Sequence, residues 1–502
     1  MKGFFADQTD FVWFLYGLGF VLLAAIGHAL ARQDDRLRWN WLALFAILHS
    51  VSDVLSLVAG ALDNSLHFRV ARVVFLAASY LCLAEFARRG LKLRRWVLIP
   101  SLVVASLGVL AGLPGLAASL RQALGMPAGL AAGLVMIQAS RRPGRGGRAL
   151  AAAGLGACAY GLLTGIFPPK APYPPASFLN LDWFLATTGM PIQILRAFIL
   201  SGMAVALRLH YGDLRRAVFA GAHVRREGWI VAALSVIVLV GWATTSLVGR
   251  RSDRELRSLL ISEACMAAAA MDASVVGPLA ADPDRPDPQS WEIQRRQLNR
   301  MRTATEGCRF VYLLAEHDQQ VVFLANNEPE DSPDFSPPGS PYEEASAELF
   351  RAIRTGTAIT EGPLTDAWGT WVRALAPVRD PASGRVLALL GFDIDARDWA
   401  QRIARMRLDP ILLTLLLALL MVMLFAGELR SAETADRVAE SEQRYRRMFQ
   451  ENSAVMLLIE PDSGGIIVTS TNPGAIDADY VWEANIFTGG GETRRGLILR
   501  AN

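Results

Sequence analysis

Two apolar stretches, WIVAALSVIVLVGWATTSLVG (229–249) and PILLTLLLALLMVMLFAG (410–427), enclose a polar island at 250–409. Each stretch is long enough to cross a hydrocarbon core of ~30 Å as a helix. The island and the segment after Gly427 are therefore expected on opposite sides of a membrane. A chain laid out in this way displays a soluble domain on one face and a helix-led segment on the other.

The rest of the chain extends that reading. Hydrophobic residues make up 52% of it and its mean hydropathy is +0.29, above the composition of soluble domains. Windows of about twenty apolar residues predict nine spans, near 11–31, 41–62, 70–87, 96–113, 118–139, 148–166, 185–208, 229–249 and 410–427. Lys and Arg crowd alternate connections: ARQDDRLRWN (31–40), ARRGLKLRR (87–95), SRRPGRGGR (140–148) and 208–226. The intervening loops carry almost none. The positive-inside rule then puts the N-terminus and the island outside, and those basic loops and 428–502 in the cytoplasm. With no small-residue cleavage site behind it, the first run is expected to stay as a helix. A formal net charge of +3 gives no argument for nucleic acid.

Inside the island the period changes. Helices are expected at 252–278 and 288–305, then strands at 309–316 (RFVYLLAE), 320–326 (QVVFLAN), 370–378 (TWVRALAPV) and 385–394 (RVLALLGFDI). A Pro/Asp/Ser-rich loop (328–341) and a helix near 342–355 lie between the second and third strands, and a helix at 396–408 closes the domain. The long helix 252–278, YLLAEHDQQVVFLAN, GPLTDAWGTWVRALAPV and VLALLGFDID together resemble the Cache family of extracytoplasmic sensor domains, which have a PAS-like α+β sheet. That resemblance implies a pocket for a small ligand over one sheet face, with Tyr312, Trp368, Trp371, Arg373, Asp393 and Asp395 as candidates. A guanidinium among aromatic rings would suit an anionic ligand such as a carboxylate; the plainer alternative has Trp371 in the core and Arg373 paired with a neighbouring acid. Pairing of Cys265 with Cys308 stays open in an oxidising compartment.

The first seven spans, opening FFADQTDFVWFLYGLGFVLLAAIGHALAR, resemble the multi-span sensory region at the front of some bacterial sensor kinases and cyclases. Polar residues at membrane depth are functional candidates: His49 and Asp53 share one helical face, and Arg196 stands one turn from Gln193. Asp53 and Arg196 fall at similar depth, so an ion pair between them is expected. His28 and His49 are offset by ~7 Å along the axis, a poor arrangement for two haem ligands. No CxxC spacing points to a metal, so no cofactor is expected. A transporter is the alternative reading of the bundle, although no paired broken helices of the transporter kind are legible.

After the last span, 428–450 reads as a signalling helix with a weak seam at Ala435, Val438, Glu442, Tyr445 and Phe449. ESEQRYRRMFQENSAVMLLIEPDSGGIIVTSTNP (440–473) resembles the opening of a PAS domain, and the likeness fails after Gly464. No histidine follows His317, and GGGET (489–493) lacks the acidic pair of a cyclase signature. No output enzyme is legible.

The whole therefore reads as a polytopic α-helical protein of a bacterial inner membrane. It comprises a seven-span bundle (1–228), a span (229–249), a Cache-like domain (250–409), a span (410–427), a signalling helix (428–450) and a partial PAS domain (451–502). Its resemblances imply a homodimeric receptor in the bilayer that passes a signal from a small extracytoplasmic ligand to a histidine kinase phosphorelay. The sensory part of a diguanylate cyclase is the alternative.

Overall fold

The computed structural model describes residues 9–62, 64–141, 144–218, 228–450, 457–460, 467–471, 482–487 and 493–498. It divides into two units, Met1–Val422 and Met423–Asn502.

Helices α1 (Thr9–Leu30), α2 (Trp39–Ala61) and α3 (Leu66–Gly90) open the first unit. Then come α4 (Ile99–Leu107), α5 (Gly112–Ser119), α6 (Met126–Ala139) and α7 (Arg145–Ile166), followed by the short α8 (Leu181–Thr188) and the long α9 (Ile192–Val218). Eight helical stretches among the described residues are long and apolar enough to cross a membrane. Leu110, Phe198, Val236, Leu239, Leu416 and Leu420 lie exposed on them, an apolar surface that water would not tolerate and a bilayer would.

The expected fourth and fifth spans form one of those eight stretches, Arg95–Ala139. It is not straight. The Ser119 hydroxyl donates to the Ala105 carbonyl at 2.7 Å, although fourteen residues of straight helix would separate them by ~21 Å. The chain doubles back at Gly112, whose φ of +72° suits a residue without Cβ. The seventh span also differs from expectation. Gly189, left-handed at φ +71°, and Pro191 end α8, so the span begins at Ile192 rather than 185.

Helix α10 (Gly228–Ala269) runs from the apolar stretch 229–249 into the island without a break. The expected helix 252–278 instead stops at Ala269, and Asp272 caps a separate α11 (Ala273–Ala281) through the Ser274 amide. Asp287 and Pro288 then start α12 (Pro288–Ala304). The sheet comprises β1 (Cys308–His317), β2 (Gln320–Asn326), β3 (Ile359–Thr365), β4 (Thr370–Arg379) and β5 (Val386–Asp395), with α13 (Ala347–Thr355) between β2 and β3. All pairings are antiparallel and the order is β2-β1-β5-β4-β3. Edge strand β3 was not expected. Its Gly362-Pro363 pair interrupts the register between Glu361 and Leu364, as a bulge with a missing donor does.

Strand alternation sorts the side chains. Val311, Leu313, Val372, Ala374, Leu390, Phe392 and Ile394 pack against Leu260, Ala264, Val276 and Leu298 of the three helices. Phe310, Tyr312, Phe323, Trp371, Leu375 and Leu389 face the other way, toward Tyr342 and Leu349. The expected closing helix 396–408 is the start of a much longer one, α14 (Ala396–Gln450). Cys265 is exposed, Cys308 is buried, and both are free thiols, so no disulfide joins them. Burial pushes the Cys308 thiol up to about 12.

The second unit holds the remainder of α14 and two antiparallel pairs, β6 (Leu457–Glu460) with β7 (Ile467–Thr471) and β8 (Trp482–Phe487) with β9 (Thr493–Ile498). Most of the segment expected to open a PAS domain lies outside the described residues. So do the side chains of Ala435, Tyr445 and Phe449 in the expected seam; Val438 and Glu442 are exposed.

Candidate functional site

The outward face of the island's sheet carries a cavity of about 390 Å³, counted out to its open mouth. Phe310 and Tyr312 come from β1, Phe323 from β2, Trp371 from β4, and Tyr342 and Trp368 from loops. The rings meet at angles: Phe310 on Trp371 at 5.0 Å, Phe323 on Tyr342 at 5.6 Å and on Trp368 at 5.9 Å. Gly391 of β5 sits opposite Tyr312, and a Cβ there would come within 2.2 Å of the ring. That bare backbone lets the ring lie flat across the strand.

Four carboxylates share the wall: Glu328, Asp334, Asp366 and Asp393. Arg309 donates to Glu328 at 2.5 Å and to Asp334 at 2.8 Å. Asp366 Oδ1 accepts from the amides of Trp368 and Gly369 and from the Trp371 indole, each at 3.0 Å, so one acid orients both tryptophans. Asp393 is different. It is 5% exposed, and among the described residues its carboxylate accepts from the Tyr312 hydroxyl at 2.9 Å. Burial pushes its carboxyl up to about 7, against the lowering effects of the Tyr312 hydrogen bond and the Arg373 charge. Among the described residues no lysine or arginine lines the cavity.

Tyr312, Trp368, Trp371 and Asp393, four of the six sequence candidates, thus come together at the cavity. Arg373 lies behind the wall. Its Nε donates to Glu361 at 2.8 Å, its Nη2 approaches the same oxygen at 2.7 Å, and its Nη1 donates to the Tyr342 hydroxyl at 2.6 Å. Asp395 is at the end of β5, where its carboxylate accepts the Arg397 amide at 2.7 Å and caps α14. Asp366, Glu328, Asp334, Phe310 and Phe323 were not singled out from sequence. Positions 310 and 323 share the alternation of 312 and 321, and DAWG reads as a carboxylate-capped turn, so signals for three of them were present.

The membrane bundle gathers a second polar group. His49 is 2% exposed; its Nδ1 lies 2.9 Å from the Ser79 hydroxyl and its Nε2 3.3 Å from the Tyr160 hydroxyl, which in turn lies 3.2 Å from that of Tyr16. The expected Asp53–Arg196 ion pair does not form. Arg196 Nη2 instead donates to the carbonyls of Leu163 and Phe167, both at 2.9 Å. Those oxygens belong to the last turn of α7 and the residue after it; the Leu163 carbonyl also accepts the Phe167 amide at 3.3 Å, and its second lone pair takes the guanidinium. The guanidinium is captured by a helix end before it reaches the acid. Gln193, one turn earlier on α9, is 7% exposed.

The chain matches no known protein-family model, no curated protein and no solved structure.

Proposed function

We propose that this chain is the input part of a bacterial inner-membrane signal receptor whose extracytoplasmic, PAS-like domain of the Cache type binds a small organic cation. The sheet order β2-β1-β5-β4-β3, with helices on one face and a cavity on the other, supports the domain type. Acids and ring faces without a lining base favour a cation, through charge and cation–π attraction. Arg373, already neutralised by Glu361, takes no part in recognising ligand charge in this reading.

One observation carries the proposal. Asp393 lies three residues ahead of Ala396, the first residue of α14, and α14 continues unbroken through the apolar run 410–427 to Gln450. A ligand drawing on Asp393 acts on the strand that becomes the signalling helix. The N-terminus and island are placed outside by the basic loops, with residues after 427 in the cytoplasm, and the chain then crosses nine times because the Arg95–Ala139 stretch doubles back. The output in this reading is a histidine kinase phosphorelay; a diguanylate cyclase would use the same input.

The test is calorimetric titration of the full chain in lipid nanodiscs with a panel of primary, secondary and quaternary amines alongside small carboxylates. Saturable binding of an amine, lost in Asp393→Asn and in Trp368→Ala, is the expected result. Binding confined to carboxylates would refute it.

A further inference from the structure

Among the described residues, the buried polar atoms of the bundle that lack a hydrogen-bond partner include Asp53 Oδ2, Tyr80 Oη, Thr164 Oγ1 and Arg196 Nε. They come from α2, α3, α7 and α9, and their residues are 4%, 0%, 0% and 3% exposed. Tyr160, one turn before Thr164 on the same face of α7, joins the chain of hydroxyls that ends on His49. His49 is one turn before Asp53 on α2, so these groups belong to one level of the bundle. The Asp53 carboxylate lies within the fields of Arg196 and Arg121, yet it forms no ion pair or hydrogen bond with either.

A buried carboxylate and a guanidinium edge, each left without a partner within reach of the other's field, are costly. Each unmade hydrogen bond costs ~1–3 kcal/mol, and more for charged groups, and a charge at membrane depth costs ~2.5–3.5 kcal/mol on insertion scales. Direct pairing would remove both costs, but Arg196 is tethered to the end of α7. A molecule that satisfies both groups needs an anionic end for Arg196 Nε, with Thr164 or Tyr80 as a further donor, and a cationic donor end for Asp53. A cation alone would face the two nearby arginines, and an anion alone would face Asp53.

We propose that the bundle holds a second ligand site, between Asp53 and Arg196, for a small zwitterion of the free α-amino acid class. This site is separate from the cavity of the extracytoplasmic domain and does not depend on the reading of that cavity.

The test uses the full chain in nanodiscs, with glycine, L-alanine and L-glutamine as zwitterionic probes, and acetate and methylammonium as probes of one charge. Thermal midpoint and calorimetric titration are the readouts. At least one zwitterion should bind saturably and raise the midpoint, as a ligand specific to the native state must, while acetate and methylammonium should not. Asp53→Asn and Arg196→Gln should each abolish the shift. Of Tyr80→Phe and Thr164→Val, which remove one hydroxyl each and keep the packing, at least one should weaken binding up to about tenfold, and unchanged binding in both would overturn the proposal. Asp393→Asn should leave the shift intact. Failure of all three amino acids, equal binding of acetate or methylammonium, or loss of the shift in Asp393→Asn would each overturn the proposal.

Discussion

Asp393 ties the cavity to a measurable dependence on pH. A rise from the ordinary 3.8 to about 7 is worth about 4 kcal/mol, at 1.4 kcal/mol for each tenfold change in proton affinity. The sign follows from which state holds the proton. The native domain binds it more tightly than the unfolded chain, so this stabilisation is complete below about 3.8. It is lost progressively as the pH climbs to about 7 and is flat beyond. Asp393→Asn removes the titration while keeping an oxygen for the Tyr312 hydroxyl. The variant should therefore be more stable than wild type by up to about 4 kcal/mol at pH 8, and the two should converge near pH 4.

Glu328, buried yet lowered by its hydrogen bond from Arg309, slopes the opposite way, so the difference between variant and wild type is the quantity to follow. Urea unfolding of the island, expressed as residues 252–408 and followed by its four tryptophans, supplies that difference from pH 4 to 8. A cationic ligand should bind the ionised form, so its affinity should rise with pH and level off above about 7. A flat difference curve would refute the assignment of Asp393 as a proton-holding cavity acid; a cation affinity that falls with pH would refute its role in recognition.

Glu361→Gln should destabilise the island by ~3–5 kcal/mol because it leaves the 3% exposed Arg373 charge without its partner; the same urea assay checks it, and a loss near zero would show the charge is solvated. Arg407→Gln should lower the detergent melting temperature of the full chain by stranding Asp10, its partner at 2.9 Å. Adding Asp10→Asn should recover most of the loss, and strictly additive losses would deny the coupling. Reporter fusions at Gly144 and Pro337 should fall on opposite sides of the membrane, cytoplasmic and extracytoplasmic respectively; the same side for both would end the topology.

The strands expected from alternation match β1, β2, β4 and β5 to within a residue or so, because a sheet buried on both faces needs long apolar runs bounded by turns. The bulged β3 escaped because ITEGPLT has neither period nor apolar content, and its pairing partner β4 supplies the register. Cavity residues were legible where they share a strand face, as with Tyr312, Trp371 and Asp393. Asp395 obeys the same alternation, but it stands where the strand becomes a helix, and an N-cap outcompetes a cavity. Tyr342 reaches the site from a loop that carries no periodic signal. The Asp53–Arg196 expectation weighed depth alone; the Leu163 and Phe167 carbonyls at the end of α7, a third element, decided where the guanidinium went.

Helix α14 is held from two directions before it crosses the apolar run. On the island side it continues β5, and the Trp399 indole donates to Asp253 of α10 at 2.9 Å. On the bundle side Arg407 pairs with Asp10 at the start of α1, Arg405 donates to the Ala61 carbonyl, and Gln401 to that of Leu62 at the end of α2. Leu408, Ile411 and Ala418 pack in one cluster with Phe11, Phe14 and Leu57. Any change that tilts or slides α14 must break or carry along these bundle contacts, and any rearrangement of α1 and α2 pulls on the same turns. Asp53 lies on α2, two turns before Ala61. Occupancy of the bundle site and occupancy of the island cavity therefore bear on one helix, and under thermodynamic linkage each should alter the affinity of the other by the same factor.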